Sequence, residues 1–343
     1  MLHTLIVGMG RSGQGLHLPA LARVRAAAPG LLARAPVVAV DPFRARPELP
    51  GVVEAGSLEE AVRLSPPART VVHLCTPPAA RENVLARLAG LGYRKIIVEK
   101  PLAVDLTGLM AVARIRRRWD LDVTVATHWL DSGLTRRLRA AVRGGRYGEL
   151  RRIDVIQNKP RFTRSTAALD HPTAFDVELP HALAVVLSLA GGARIAGASS
   201  DDMVFERSRV PRLGRARLRL DHVGGVRTEI DSDLTSPVRE RRITLEFDRA
   251  VLVGHYPCSE ADHCAQLRVV RPGGEATRSV FTDDAFAAFL RGAYGRYAGP
   301  VSRMHRTLPV QVDTVRLLTE AKRLCDGQGP GALRREEVQG GVR

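Results

Sequence analysis

Thr4-Leu5-Ile6-Val7-Gly8-Met9-Gly10-Arg11-Ser12-Gly13 passes from a short apolar, partly β-branched run directly into three glycines spaced Gly-x-Gly-x-x-Gly. The run reads as a buried parallel strand and the glycines as the turn that leads from it into a helix. Gly8 permits the tight turn, Gly10 lets backbone approach a pyrophosphate, and Gly13 lets the helix pack close to the strand. The unpaired N–H groups and positive dipole of that helix start favour an anion. A plain glycine turn has the same spacing, so the next strand must decide between the two readings.

That strand is Pro36-Val37-Val38-Ala39-Val40-Asp41, and it ends in an acid. Asp41 stands where a carboxylate can hydrogen-bond adenosine ribose hydroxyls, which favours NAD(H). The interval from Gly13 to Asp41 exceeds the roughly twenty residues of the fingerprint, so the first helix and its loop are extended. Arg44 and Arg46 follow closely and suit a 2′-phosphate, which leaves NADP(H) open.

The alternation continues downstream. Ser57 with Glu60 forms a capping box for a short helix through Leu64. Thr70-Val71-Val72-His73-Leu74-Cys75 is a strand that stops at Thr76-Pro77-Pro78, because proline cannot continue a ladder. Ala79 to Leu91 reads as a helix, with Val84, Leu85, Leu88 and Leu91 on its apolar positions and Gly92 at its end. Lys95-Ile96-Ile97-Val98 is the next strand. It delivers Glu99 and Lys100 to its carboxyl end, where ligands gather in open α/β sheets.

These residues together resemble the glucose-fructose oxidoreductase, inositol dehydrogenase and MocA family. The resemblance is carried by Gly8–Gly13, His17-Leu18-Pro19-Ala20-Leu21, Thr76-Pro77-Pro78, Glu99-Lys100-Pro101-Leu102 and Gly145-Arg146-Tyr147-Gly148-Glu149-Leu150, in family order. The His181 helix and the segment from Leu308 to Ala321 extend it over most of the chain. It implies an α/β N-terminal Rossmann domain with a parallel sheet, followed by an α+β domain with a large, mostly antiparallel sheet. The expected division is 1–122 for dinucleotide binding and 123–343 for substrate binding and oligomerisation, as a homodimer or homotetramer. The resemblance places Lys100 near the nicotinamide and the reacting hydroxyl, and Arg11, Ser12, Thr76, Pro77 and Glu99 with the cofactor-binding glycines. Only Lys95, Lys100, Lys159 and Lys322 break a strong preference for arginine. Arginine cannot replace a lysine that shares a proton, because a guanidinium is not deprotonated in proteins.

The second domain opens on Val123-Thr124-Val125-Ala126-Thr127, which brings His128 to the place where the family has a polar residue facing the substrate. An arginine-rich helix follows from Leu134 to Val142, closed by Gly144-Gly145. Arg152 to Gln157 alternates like a half-buried strand that ends at Asn158-Lys159, where Lys159 is a candidate substrate contact. Further strands are expected over 216–220, 227–234, 242–247, 251–255 and 265–270. Between them lies Asp170-His171-Pro172, then Phe175-Asp176-Val177-Glu178-Leu179-Pro180-His181 running into the apolar helix from Ala182 to Leu189.

Pro180 suits the first turn of that helix, and Asp176 and Glu178 suit its positive end. The resemblance makes His181 the acid/base residue and a substrate contact, and imidazole titrates near neutral pH. The family's usual supporting acids are replaced here by Val177 and Ala184, so the supporting carboxylate is Asp176 or Glu178. Glu178 is favoured by its spacing of three from His181.

The expected activity is reversible hydride transfer between NAD(P) and a secondary alcohol or ketone of a sugar, cyclitol or related metabolite. Imine or enone reduction and a nicotinamide-binding regulatory protein without turnover are the rival readings. The chain has 52 Lys and Arg against 36 Asp and Glu, giving +16. These charges are scattered and aromatic residues reach only 4%, so nucleic acid is not the expected partner. An anionic substrate uses the same charge. His255, Cys258, Asp262, His263 and Cys264 lack paired metal-ligand spacing, so no metal is expected. Cys75 and Cys325 show no pairing pattern, no signal peptide or long apolar span is read, and a cytoplasmic location with no membrane partner is expected.

Overall fold

A computed structural model of the chain describes residues 1–41, 49–167, 171–259, 262–299 and 308–327. Arg44, Arg46 and Asp170 lie outside the described residues. The chain divides into two units. Unit 1 comprises Met1–Arg136 and Asp284–Arg316; unit 2 comprises Arg137–Asp283 and the chain from Leu317 onward.

Unit 1 is built on six parallel strands, β1 (His3–Val7), β2 (Val37–Val40), β3 (Val52–Glu54), β4 (Thr70–Leu74), β5 (Lys95–Val98) and β6 (Asp122–Val125), in the order β3-β2-β1-β4-β5-β6. The order reverses at β1, so the carboxyl ends of β1 and β4 flank the switch point where ligands enter such sheets. Register aligns Leu5, Val38, Val72, Ile96 and Val123 across the sheet. These residues enter one buried cluster, while Ile6, Ala39, Val71 and Ile97 enter another with Phe286, Phe289, Leu290 and Tyr294. Both sheet faces are therefore covered, as the continuous apolar strands require.

The helices of this unit that alternate with its strands include α1 (Leu18–Ala27), α2 (Leu58–Leu64), α3 (Arg81–Gly90) and α4 (Leu106–Arg118). Ser57 Oγ accepts from Glu60 N–H at 3.1 Å and caps α2. In place of the reciprocal bond to Ser57, the Glu60 carboxylate takes Gly56 N–H at 2.7 Å.

The boundary at 122/123 falls inside β6, which is the sixth strand of the first sheet. Its alignment beside β5 buries Val123 and Val125, and that burial holds it in unit 1. Helix α8 (Ala285–Ala298) returns late in the chain to the same unit, where Tyr297 Oη donates to Ile96 O at 3.0 Å. The division passes through α5 (Gly133–Gly144) and α9 (Leu308–Cys325).

Unit 2 carries β7 (Leu150–Asn158), β8 (Ala193–Ser200), β9 (Met203–Phe205), β10 (Ser208–Val210), β11 (Arg215–His222), β12 (Arg227–Asp233), β13 (Glu240–Phe247), β14 (Ala250–His255), β15 (Cys264–Val270) and β16 (Ala276–Thr282). Eight of them form one sheet in the order β16-β15-β14-β13-β7-β12-β11-β8. Only the β7–β12 pair is parallel. Helices α6 (Phe162–Ala167) and α7 (Leu179–Ala190) belong to this unit, and α7 packs on β7 and β12.

The two edge strands were not foreseen. Ala-Gly-Ala-Ser in β8 has weak strand preference, and β16 is mostly exposed. Among the described residues no helix is long and apolar enough to cross a membrane.

Candidate functional site

The glycine turn in unit 1 is shaped by close backbone contacts. Gly8 has φ +90°, and a Cβ there would stand 3.0 Å from Cys75 C and Thr76 N, at the end of β4. A Cβ on Gly13 would collide with Gly8 O. Gly10 is different: beyond its own chain neighbours, no atom of the described residues lies within 4 Å of where its Cβ would be. Gly8 and Gly13 close the turn, and Gly10 leaves an open cradle beside the backbone, the space a pyrophosphate needs.

Asp41 Oδ2 accepts from Met9 N–H at 2.8 Å, which fixes the acid beside the turn. Directly after the turn, Gly13–His17 winds as a π turn in which Leu18 N–H reaches Gly13 O. Such turns are uncommon and frequently accompany functional positions.

Glu99 binds this turn to the Glu99-Lys100-Pro101 segment, whose Lys100–Pro101 peptide is cis. Its Oε1 accepts from Ser12 Oγ at 2.7 Å and lies 2.9 Å from His17 Nε2; its Oε2 accepts from Lys100 N–H at 3.2 Å. The chain of contacts then runs inward. His17 Nδ1 meets His73 Nδ1 at 2.6 Å, His73 Nε2 meets Tyr294 Oη at 2.9 Å, and Tyr294 Oη meets Thr4 Oγ1 at 2.6 Å. His17, His73 and Tyr294 are completely buried.

Burial opposes charge on His17, but Cys75 and Glu99 push its pKa up to about 10. Burial, joined by the charge of His17, holds His73 well below the ordinary histidine range. Glu99 is likewise kept ionised: burial raises its pKa, but His17, Ser12 and Lys100 outweigh it and carry it far below the usual carboxylate value. With His17 charged, one proton arrangement satisfies every contact. His17 donates to both Glu99 and His73, His73 donates to Tyr294, and Tyr294 donates to Thr4.

Thr76 Oγ1 is buried without a hydrogen-bond partner among the described residues, and so are Nε and Nη1 of Arg81, the first residue of α3. Arg81 is 2% exposed, and burial lowers its pKa to about 10 despite Glu99 and Cys75. Orphaned donors at the end of β4, an open cradle at Gly10 and an acid at the end of β2 all fit a bound dinucleotide.

In unit 2, Glu178 is the N-cap of α7, Pro180 lies in the first turn, and His181 is buried. His181 N–H donates to Glu178 O at 3.2 Å. Both neighbouring carboxylates hold lysines. Glu178 Oε1 accepts from Lys159 Nζ at 2.7 Å, with Arg241 Nη2 3.9 Å from Oε2. Asp176 accepts from Thr173 Oγ1 at 2.7 Å and from Lys322 Nζ at 3.0 Å. The helical spacing that favoured Glu178 as the support of His181 misses these ion pairs, because Lys159 comes from a strand end.

Lys159 has a lowered pKa, first from burial and then from Arg241 and Arg161, against the pull of Glu178. His128 lies in unit 1, with its ring 5.1 Å from that of Phe286. His17, His73, Tyr294 and Arg81 were not singled out as site residues. Only His17, within a motif that carried the resemblance, offered a signal.

No protein-family model and no curated protein matches this chain. Solved structures do match. KijD10, a 3-ketoreductase from Actinomadura kijaniata in complex with TDP-benzene and NADP, is 15% identical with a TM-score of 0.73, covering 96% of this chain and 98% of that one. The UDP-N-acetylglucosamine 3-dehydrogenase GnnA from Acidithiobacillus ferrooxidans is 17% identical, with a TM-score of 0.68 over 94% and 97%. An oxidoreductase from Agrobacterium radiobacter, in complex with NAD+, L-tartaric acid and magnesium, is 14% identical, with a TM-score of 0.74 over 96% and 97%. At these identities the likeness is one of fold. The resemblance drawn from the motifs holds at that level, and the fold is the one these oxidoreductases, two of them with NADP or NAD+ bound, share.

Proposed function

We propose that this chain is an NAD(P)-dependent oxidoreductase that transfers hydride between nicotinamide and a secondary alcohol or ketone of a sugar, cyclitol or related metabolite. The observation that carries the reading is the glycine turn tied through Ser12 and His17 to Glu99, one residue before Lys100, at the switch point of the 3-2-1-4-5-6 sheet. A fold neighbour named as a UDP-N-acetylglucosamine 3-dehydrogenase, and another named as a 3-ketoreductase, support the substrate class.

When bound, the dinucleotide supplies a hydride acceptor or donor at nicotinamide C4. Gly8, Gly10 and Gly13 receive its pyrophosphate, and Asp41 receives its ribose, which favours NAD(H). Arg11, Ser12, Thr76, Pro77 and Glu99 complete that cradle. Lys100 orients the reacting hydroxyl and shares its proton, while His181 takes or returns the proton as acid/base residue. Glu178 and Asp176 act by setting the charge around the start of α7.

Binding of NAD(H) and NADP(H), followed by thermal shift and by quenching of protein fluorescence, tests the reading on wild type and Asp41→Ala. Selective NAD(H) binding that weakens in the variant supports it and directs a screen of sugar and cyclitol oxidation. If neither nucleotide binds, the glycine turn is only structural. Lys100→Ala should keep cofactor affinity and lose on the order of 10²-fold or more in turnover; unchanged turnover removes Lys100 from the mechanism.

A further inference from the structure

The helix-covered face of the unit 2 sheet is apolar for most of its length and turns polar at one end. Buried Ile153 and Val155 on β7 give way to Gln157, and Lys159 follows just past the strand. On β12, Ile230 gives way to Ser232, and on β13 Arg241 precedes Ile243. Register sets Gln157 directly against both Ser232 and Arg241, so the three side chains share one face.

Gln157 is 1% exposed and Ser232 is 0% exposed, yet Gln157 Oε1 and Nε2 and Ser232 Oγ have no hydrogen-bond partner among the described residues. Buried polar atoms are nearly always paired, so three orphans on adjacent strands mark a place for outside donors and acceptors.

The surroundings indicate the charge of what belongs there. Glu178 holds Lys159 at 2.7 Å and faces Arg241 at 3.9 Å. Arg161, 5% exposed, adds its field to that of Arg241 at Lys159. Two cations, Lys159 and Arg241, thus flank one carboxylate, and Arg241 Nη1 also donates to Pro257 O at 2.8 Å, while Arg161 stands near enough to Lys159 to lower its pKa. Of the other acids at this end, Asp176 engages Lys322 and Thr173, and Asp233 accepts from Thr235 N–H at 2.7 Å and Oγ1 at 2.6 Å. A cavity of about 850 Å³ at the opposite end of β7, lined by Leu150, Arg151, Leu189 and Arg249 among others, has no buried orphan atom in its lining.

We propose that the polar end of this face binds an anionic, hydroxylated ligand of the sugar-acid or sugar-phosphate class. Lys159, Arg161 and Arg241 receive its carboxylate or phosphate, and Gln157 and Ser232 pair with its hydroxyls. A planar guanidinium fork suits either oxyanion. The inference rests on the oxidoreductase reading only in taking this ligand as the substrate.

Calorimetric titration of the full chain with gluconate, glucose 6-phosphate, inorganic phosphate and glucose tests it, at about 50 mM and about 500 mM salt. At least one sugar anion should bind about tenfold or more tighter than glucose, with the advantage shrinking in high salt. The gluconate and glucose 6-phosphate arms tell carboxylate from phosphate recognition. Arg241→Met should remove about tenfold of the anion's advantage, Arg241→Lys should retain part of it, and Gln157→Leu should weaken charged and neutral sugars alike.

Equal affinity for glucose and both sugar anions overturns the proposal, as does inorganic phosphate binding as tightly as glucose 6-phosphate when gluconate does not bind. Unchanged anion binding in both Arg241→Met and Arg161→Met also overturns it. If a variant fails to fold, the wild-type comparison and its salt dependence decide. NAD(H) binding is read separately by fluorescence. Its loss with anion binding intact counts against the oxidoreductase reading alone.

Discussion

Two carboxylates largely shielded from solvent, Glu99 in unit 1 and Glu178 in unit 2, sit in networks of opposite kinds. Around Glu99 the network is closed: Ser12, His17 and Lys100 N–H fill its oxygens, and His17, His73, Tyr294 and Thr4 complete one another in turn. Around Glu178 the network is open, for Lys159 and Arg241 crowd it while the side chains of Gln157 and Ser232 find no hydrogen-bond partner among the described residues. A closed buried network spends its electrostatics on holding the turn in shape. An open one keeps polar atoms in reserve for a ligand, at the expense of the free chain's stability.

The comparison breaks most visibly at Glu99. Glu99→Gln leaves His17 without its charged partner and should destabilise unit 1 by about 3 kcal/mol in chemical denaturation. A loss well below 1 kcal/mol would mean that the network does not hold the turn.

Titration reaches the same pair without mutation. His17 has its pKa raised from 6.5 to about 10. The charged form is therefore favoured by folding, so its contribution is whole below about pH 6.5 and is lost as pH climbs toward 10. Denaturation midpoints between pH 6 and 10 should fall in wild type. In Glu99→Gln the fall should flatten, and parallel profiles would assign the pH dependence to other groups.

Tyr294→Phe is milder, since it removes the hydroxyl that links His73 to Thr4 and leaves the aromatic packing. About 1–2 kcal/mol of destabilisation is expected, with the cofactor affinity of the folded protein nearly intact. Gln157→Leu is the smallest change and carries the contrast, because it deletes orphaned polar atoms. Stability should stay within about 1 kcal/mol of wild type or rise. A large loss there would show that Gln157 is already satisfied within the fold.

Much of unit 1 was legible from local signals. Thr4–Gly13, the Ser57 cap, the prolines after Thr76 and the strand leading to Glu99 each declare themselves within about ten residues of sequence, and all appear in the structure. The roles inside these segments were harder to read. Glu99, which reads as a cofactor contact, also braces the turn with its oxygens, and Glu178, which reads as the support of His181, also holds Lys159. In each case the deciding partner lies 19 or more residues away.

The amino-acid sequence by itself determined the alternation of apolar strands and helices, the glycine turn with Asp41 after it, and the antiparallel run that follows. Strand period, helix caps and glycine backbone freedom act over short stretches of chain. Only the tertiary structure decided that β6 and α8 complete the first unit, that His17, His73 and Tyr294 form one chain of contacts, and that the Gln157 side chain, between Ser232 and Arg241, has no hydrogen-bond partner among the described residues. Tyr294 stands 221 residues from His73, and strand register turns distant residues into neighbours. Burial then sets the charge each residue carries, and burial is a property of the packed fold.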